Sequence, residues 1–123
     1  MPVSDTATTG ARELAQRFIA AFNNRDADGL RALMAPGATL RTLTGDALRG
    51  HEGVDALLRA AERLDLRLQP FRTPHVERHG EGVRVTVPIR ELIGPDDIER
   101  TVELDIRDGR VAGFAMRPFT NEE

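Results

Sequence analysis

Apolar residues recur along this chain with two different periods, and the change between them falls near Leu66. In the first part Leu14, Phe18, Ala21 and Phe22 stand at i, i+4, i+7 and i+8, one stripe of an amphipathic helix. Thr9 is its expected N-cap and Asn23-Asn24 its expected end. Asp26 can cap a second helix with Leu30, Leu33 and Met34 on its buried side, and Ala35-Pro36-Gly37 should stop it, because proline cannot continue the hydrogen-bond ladder. Residues 38–43 then read as a strand and Thr44-Gly45-Asp46 as a turn. A third helix runs over about 52–64, with Val54, Leu57, Leu58 and Ala61 as its apolar series.

From Leu66 the period becomes 2. Val83, Val85, Val87 and Ile89 alternate with Arg84, Thr86, Pro88 and Arg90, and Ile98, Val102, Leu104 and Ile106 lie among Glu99, Thr101, Glu103 and Asp105. A last strand covers about 111–119. Three helices followed by such strands predict an α+β fold: a cone-shaped roll in which the N-terminal helices pack on a curved, mainly antiparallel mixed sheet. The expected layout is a disordered tail over 1–10, one domain over 11–119 and a short tail over 120–123. At 123 residues a second domain would have too little core of its own.

Asp108-Gly109 between apolar runs is a two-residue hairpin signal. With that loop Ile106 pairs with Val111, Leu104 with Gly113, Val102 with Ala115 and Arg100 with Arg117. A preceding turn centred on Pro95-Asp96 pairs Val87 with Leu104, Ile89 with Val102 and Glu91 with Arg100. One face is then apolar and ends in Glu91, Arg100 and Arg117. The other carries Phe114 and Met116, which makes it a candidate homodimer surface.

The formal net charge of -3 mixes both signs along the length, which argues against a nucleic-acid or anionic-membrane partner. No stretch approaches the ~20 apolar residues of a membrane span, and the first ten residues lack a signal-peptide pattern, so the expected location is the cytoplasm. There is no cysteine, and all the basic residues are arginine, a bias that reads as a GC-rich bacterial genome. Lysine Schiff-base chemistry and oxyanion support from a tyrosine hydroxyl are excluded, since the chain has neither residue. Metal-ligand spacing and phosphate-cradling glycine loops are missing too, so neither a metal nor a cofactor is expected.

The pieces QRFIAAFNNRDADGLRALMAPGATL, RGHEGVDALLRA and IRDGRVAGFAMRPF resemble the nuclear transport factor 2-like superfamily, in particular its SnoaL-like and ketosteroid-isomerase-like branches. The likeness spans about 11–119. It implies a pocket inside the cone, and the superfamily holds isomerases, dehydratases, cyclases, epoxide hydrolases and domains without chemistry, so fold alone does not select among them. The residues expected to line the pocket are Phe18, Phe22, Thr42, Leu57 and Val87, together with Ile89, Val102, Leu104 and Ala115.

Steroid isomerases of this kind place a tyrosine on the first helix, a base aspartate at the end of the first strand and a protonated aspartic acid on a later strand. Those positions fall on Phe18, on Thr42 and on Val102, or on Glu103 if the hairpin slips by one. Phe18 has no hydroxyl and Thr42 cannot abstract a proton near neutral pH, so that mechanism is rejected for these positions. Cyclases of the SnoaL branch pair an aspartate with a histidine, and this chain offers only His51, His75 and His79. His51 reads as a cap or loop residue and His79 as a hairpin tip. His75 lies in a strand whose inward or outward face turns on the hairpin loop length.

The candidate catalytic residues are therefore His75, Glu91, Arg100 and Arg117. An arginine fork suits an anionic or carbonyl oxygen, and a carboxylate in an apolar cavity suits acid–base work. The expected function is cofactor-independent chemistry on a small apolar carbonyl or polyketide-like molecule. The alternatives are a non-catalytic small-ligand-binding protein and a dimerising interaction module of the same fold.

Overall fold

The computed structural model of the chain describes residues 5–41 and 47–118. Helix α1 (Asp5–Asn23) is followed by α2 (Ala27–Leu33), β1 (Met34–Arg41), β2 (Ala47–Arg49), α3 (Glu52–Leu64), β3 (Leu66–Pro70), β4 (His75–His79), β5 (Gly82–Ile93), β6 (Asp96–Arg107) and β7 (Arg110–Pro118). The strands form one seven-stranded sheet in the order β2-β1-β7-β6-β5-β3, with β4 also on β5. All pairings are antiparallel except β1 with β7. The three helices lie on one face of this mixed sheet, as the two apolar periods predict. Expectations that fall on Thr42, the 44–46 turn, Phe119 and residues 120–123 lie outside the described residues. Among the described residues no helix is long and apolar enough to cross a membrane.

Two helix boundaries differ from expectation. Helix α1 starts at Asp5 rather than after Thr9, so residues 5–10 are helical and not tail. Met34 leaves α2 and begins β1, which carries Pro36 and Gly37 within it. Asp26 does cap α2, accepting from the Gly29 amide at 2.9 Å.

One side of the sheet and the apolar stripes of α1 and α3 close on a common core. Phe18, Phe22, Val54, Leu57, Val85, Val87, Ile89, Val102 and Leu104 are all buried there. The hairpin between β6 and β7 decides what else joins them. Asp108 and Gly109 have φ of +52° and +75°, the two positive values of a tight primed turn, and Ile106 pairs with Val111 as expected. Beyond that the register shifts: Asp105 opposes Gly113, leaving Ala112 as an extra residue. Phe114 then pairs with Leu104, and Met116 with Val102. The bulge turns every later residue of β7 to the opposite face.

Phe114 and Met116 consequently face the core, and the predicted outer apolar surface for a homodimer does not exist on these residues. Phe114 is 2 % exposed and its ring lies 5.5 Å from Phe18 and 6.5 Å from Phe22. Burying an aromatic ring here outweighs the loss of one regular ladder step. Gly113 stands at the bulge, where a Cβ would lie 3.2 Å from Asp105 Oδ2 and press that carboxylate aside.

A single arginine ties the helix ends to the sheet. Arg25, at φ +56° after α1, donates to the carbonyls of Phe22 (3.0 Å), Ala61 (3.2 Å) and Leu66 (2.7 Å) and pairs with Glu62 at 2.9 Å. It thereby satisfies carbonyls at the ends of α1 and α3 and at the start of β3. Arg25→Met leaves these acceptors without their charged donor and should lower stability by about 2 kcal/mol, measured by urea unfolding. Glu62→Gln, which alters only the exposed end of the cluster, should cost below about 1 kcal/mol.

Candidate functional site

Strand β5 carries Val85, Val87, Ile89 and Glu91 on its inner face, because alternate residues of a strand share a side. The β5–β6 turn is made by Gly94-Pro95, with Ile93 opposite Asp96, one residue earlier than the expected Pro95-Asp96 centre. Gly94 supplies the positive φ, +56°, that such a tight turn requires. The pairings move by two residues and keep their faces: Val87 opposes Val102, Ile89 opposes Arg100 and Glu91 opposes Ile98. Arg100 still reaches Glu91 on the diagonal, its Nε donating to Glu91 Oε1 at 3.2 Å.

Glu91 is the one buried ionisable side chain among the described residues, at 5 % exposure. An isolated carboxylate in that setting is costly, and the charged hydrogen bond from Arg100 offsets the cost. Ile98, directly opposite, is 37 % exposed, so the inner face reaches solvent within one residue of the pair. Chemically this is a carboxylate at the edge of an apolar core, held in orientation by one guanidinium nitrogen.

The other predicted site residues do not join it. Arg117 was expected beside Glu91 and Arg100, but the β7 bulge places it opposite Thr101 on the outer face, where it pairs with Glu103 at 2.8 Å. Ala115, expected in the pocket, opposes Glu103 on the same outer face. His75 opposes Thr86, also outward. Its side chain is 69 % exposed and lies 3.2 Å from Glu77. Val102 rather than Glu103 points inward. His79 is exposed and accepts from Arg84 at 2.9 Å, while His51 lies 3.3 Å from the Met34 carbonyl and makes no side-chain cap bond.

The outer face is charged, not apolar. Arg84 donates to Asp105 at 2.8 Å, and that hydrogen bond, partly opposed by desolvation, holds its guanidinium above the ordinary arginine range. Glu103 lies between Arg84 and Arg117 at 3.9 and 2.8 Å. A groove of about 280 Å³ runs over this network beside Thr39 and Arg41. Among the described residues no group of three His, Asp or Glu side chains is placed to hold a metal ion.

The larger hollow is on the helix side. Between α1 and the connection from β3 to β4 lies a cavity of about 580 Å³, floored by Ala15, Ile19 and Val87 and walled by Pro70, Phe71 and Pro74. Its volume falls within the range of small-molecule sites. Arg12, Gln16, Arg72 and Thr73 supply its polar edge. Of the expected pocket residues only Val87 lines it; Phe18, Phe22, Leu57, Ile89, Val102 and Leu104 are packed in the core behind, each at most 6 % exposed. Sequence reasoning missed Arg12 and Phe71. The signals were present: Arg12 stands on the Ala15–Ile19 side of its helix, and Phe71 interrupts a proline-flanked turn, Pro70 to Pro74.

The SnoaL-like domain pattern matches residues 15–114 of this chain. No curated protein matches it. Among solved structures it is similar to a candidate polyketide cyclase from Sinorhizobium meliloti, with a TM-score of 0.68, 17 % identity, and coverage of 89 % of this chain and 98 % of that one. It is also similar to a protein of ketosteroid isomerase-like fold from Catenulispora acidiphila, in complex with trimethylamine (TM-score 0.66, 14 % identity, 85 % and 83 % covered). A third is TerC, co-crystallised with polyporic acid (TM-score 0.66, 18 % identity, 87 % and 89 % covered). At such identities these likenesses establish the fold, and with it the roll of helices over a curved sheet.

Proposed function

This chain belongs to the SnoaL-like domain family, and we propose that it acts without a cofactor on a small apolar carbonyl or polyketide-like molecule held against the inner face of its sheet. The single observation that carries this is Glu91, buried on that face, aimed by Arg100 and one residue from solvent. In this role Glu91 moves a proton to or from the carbon or oxygen beside the substrate carbonyl. Arg100 holds Glu91 through Nε at 3.2 Å, and in this role the remaining donors of its guanidinium stabilise negative charge as it develops. The small ligands bound to two relatives, trimethylamine and polyporic acid, support a small-molecule pocket in this fold.

A second reading has its own observation. Phe18 and Val102 stand fully buried where related isomerases hold a hydroxyl and an acid, which favours binding without chemistry. The two separate on proton exchange. Wild-type protein should catalyse deuterium incorporation from D2O at the carbon next to the carbonyl in one of a panel of apolar cyclic ketones, followed by proton NMR. Glu91→Gln, which keeps the shape and an acceptor for Arg100, should slow this about 10²-fold or more. Equal rates in the two proteins would remove Glu91 from the chemistry. Binding of the ketones with no exchange in either would leave a binding protein.

A further inference from the structure

We propose that the α1 cavity takes the acidic end of its ligand, so that the molecule bound is an apolar ring system carrying a carboxylate or a comparably acidic oxygen. This rests on the reading of the inner face as the ligand side and names the ligand class for it; the cavity shares Val87 with that face, while Glu91 and Arg100 are not among the residues that line it. Ten residues line the cavity; two are arginines and none is acidic. The floor of Ala15, Ile19 and Val87 is buried and apolar, suited to the body of a ring system and offering nothing to bond an ion.

Arg12 sits where the anion would lie. Its Nε donates to the Pro74 carbonyl at 3.0 Å, which fixes the guanidinium plane against the β3–β4 connection. Among the described residues its two terminal nitrogens make no hydrogen bond or ion pair, so an edge of the fork stays available to a planar oxyanion. Arg72 lines the cavity as well, its guanidinium 5.5 Å from the centroid of the Phe71 ring. Phe71 adds apolar surface to the same wall. The outer-face groove lacks this asymmetry, because Glu103 and Asp105 line it and two of its three arginines, Arg84 and Arg117, are paired with them.

The test titrates the full-length protein with 2-naphthoate and, separately, with the neutral 2-naphthamide, following the methyl groups of Ala15, Ile19 and Val87 by NMR. Naphthoate should bind at least tenfold more tightly than naphthamide, and added salt should narrow the difference. Arg12→Gln should bring naphthoate and naphthamide to equal affinity, and Arg12→Lys should retain part of the preference. Gln16→Trp, which fills the cavity from an exposed rim position, should weaken both probes together. Equal affinity of the two probes for wild type, or an undiminished preference in Arg12→Gln, overturns the acidic ligand class while the inner-face site stands. Failure of both probes to shift the three methyl groups overturns the cavity as a ligand site as well.

Discussion

Replacing Phe114 with alanine is expected to destabilise the protein by about 3–5 kcal/mol, read as a lowered midpoint of denaturant unfolding with unchanged slope. The ring is 2 % exposed and packs against both Phe18 and Phe22, so truncation opens a void among residues from α1, β6 and β7 that cannot all collapse into it. The neighbouring position gives the contrast. Ala115 points to the charged outer face, and Ala115→Ser should change stability by less than about 0.5 kcal/mol. Were β7 to run without its bulge, the two effects would exchange: Phe114→Ala would cost little and the residue at 115 would be the one in the core. The pair of substitutions therefore measures the register of the last strand.

Arg100→Met should cost about 2–4 kcal/mol, because it leaves the Glu91 carboxylate buried without its charged donor. The arginine side chain is one-quarter exposed, so water can partly replace it, and the loss falls below that of a fully enclosed pair. Glu91→Leu combined with Arg100→Met should recover most of that stability, since an apolar pair suits the surrounding Ile89 and Leu68. The double-mutant cycle isolates the coupling. An additive cycle, with no recovery in the double variant, would mean that the hydrogen bond does not form in solution. Recovery of stability together with loss of proton exchange would indicate a pair kept for chemistry at the expense of stability.

The helices and strands were legible because their apolar periods are long and unbroken, and the Asp108-Gly109 turn was legible because two residues of that type match the twist of flanking strands. The pairing of Glu91 with Arg100 survived an error of one residue in the β5–β6 turn. That error moves the register by two, which preserves the faces, and a long arginine reaches along the diagonal. Arg117 and Phe114 did not survive theirs, because a bulge adds a single residue and reverses the face of all that follow. Gly113, a glycine inside a strand pattern, was the available warning.

Two features depend on residues that only the tertiary fold brings together. Arg25 gathers carbonyls from three separated segments, and only the tertiary fold brings Phe22, Ala61 and Leu66 to one guanidinium. The α1 cavity lies between the helix and the β3–β4 connection, and although Arg12 and Phe71 can be read one by one, only the tertiary fold sets them around one hollow. The interior positions that the alternation identified did become core, and the described hollow formed beside them.

The most direct measurement is an intermolecular NOE spectrum between the protein's methyl groups and a bound apolar ring ketone. The account predicts contacts to Ala15, Ile19 and Val87, on the helix-covered side of the sheet. Contacts instead to Thr39 and Ala115, in the charged groove on the other side, would contradict it.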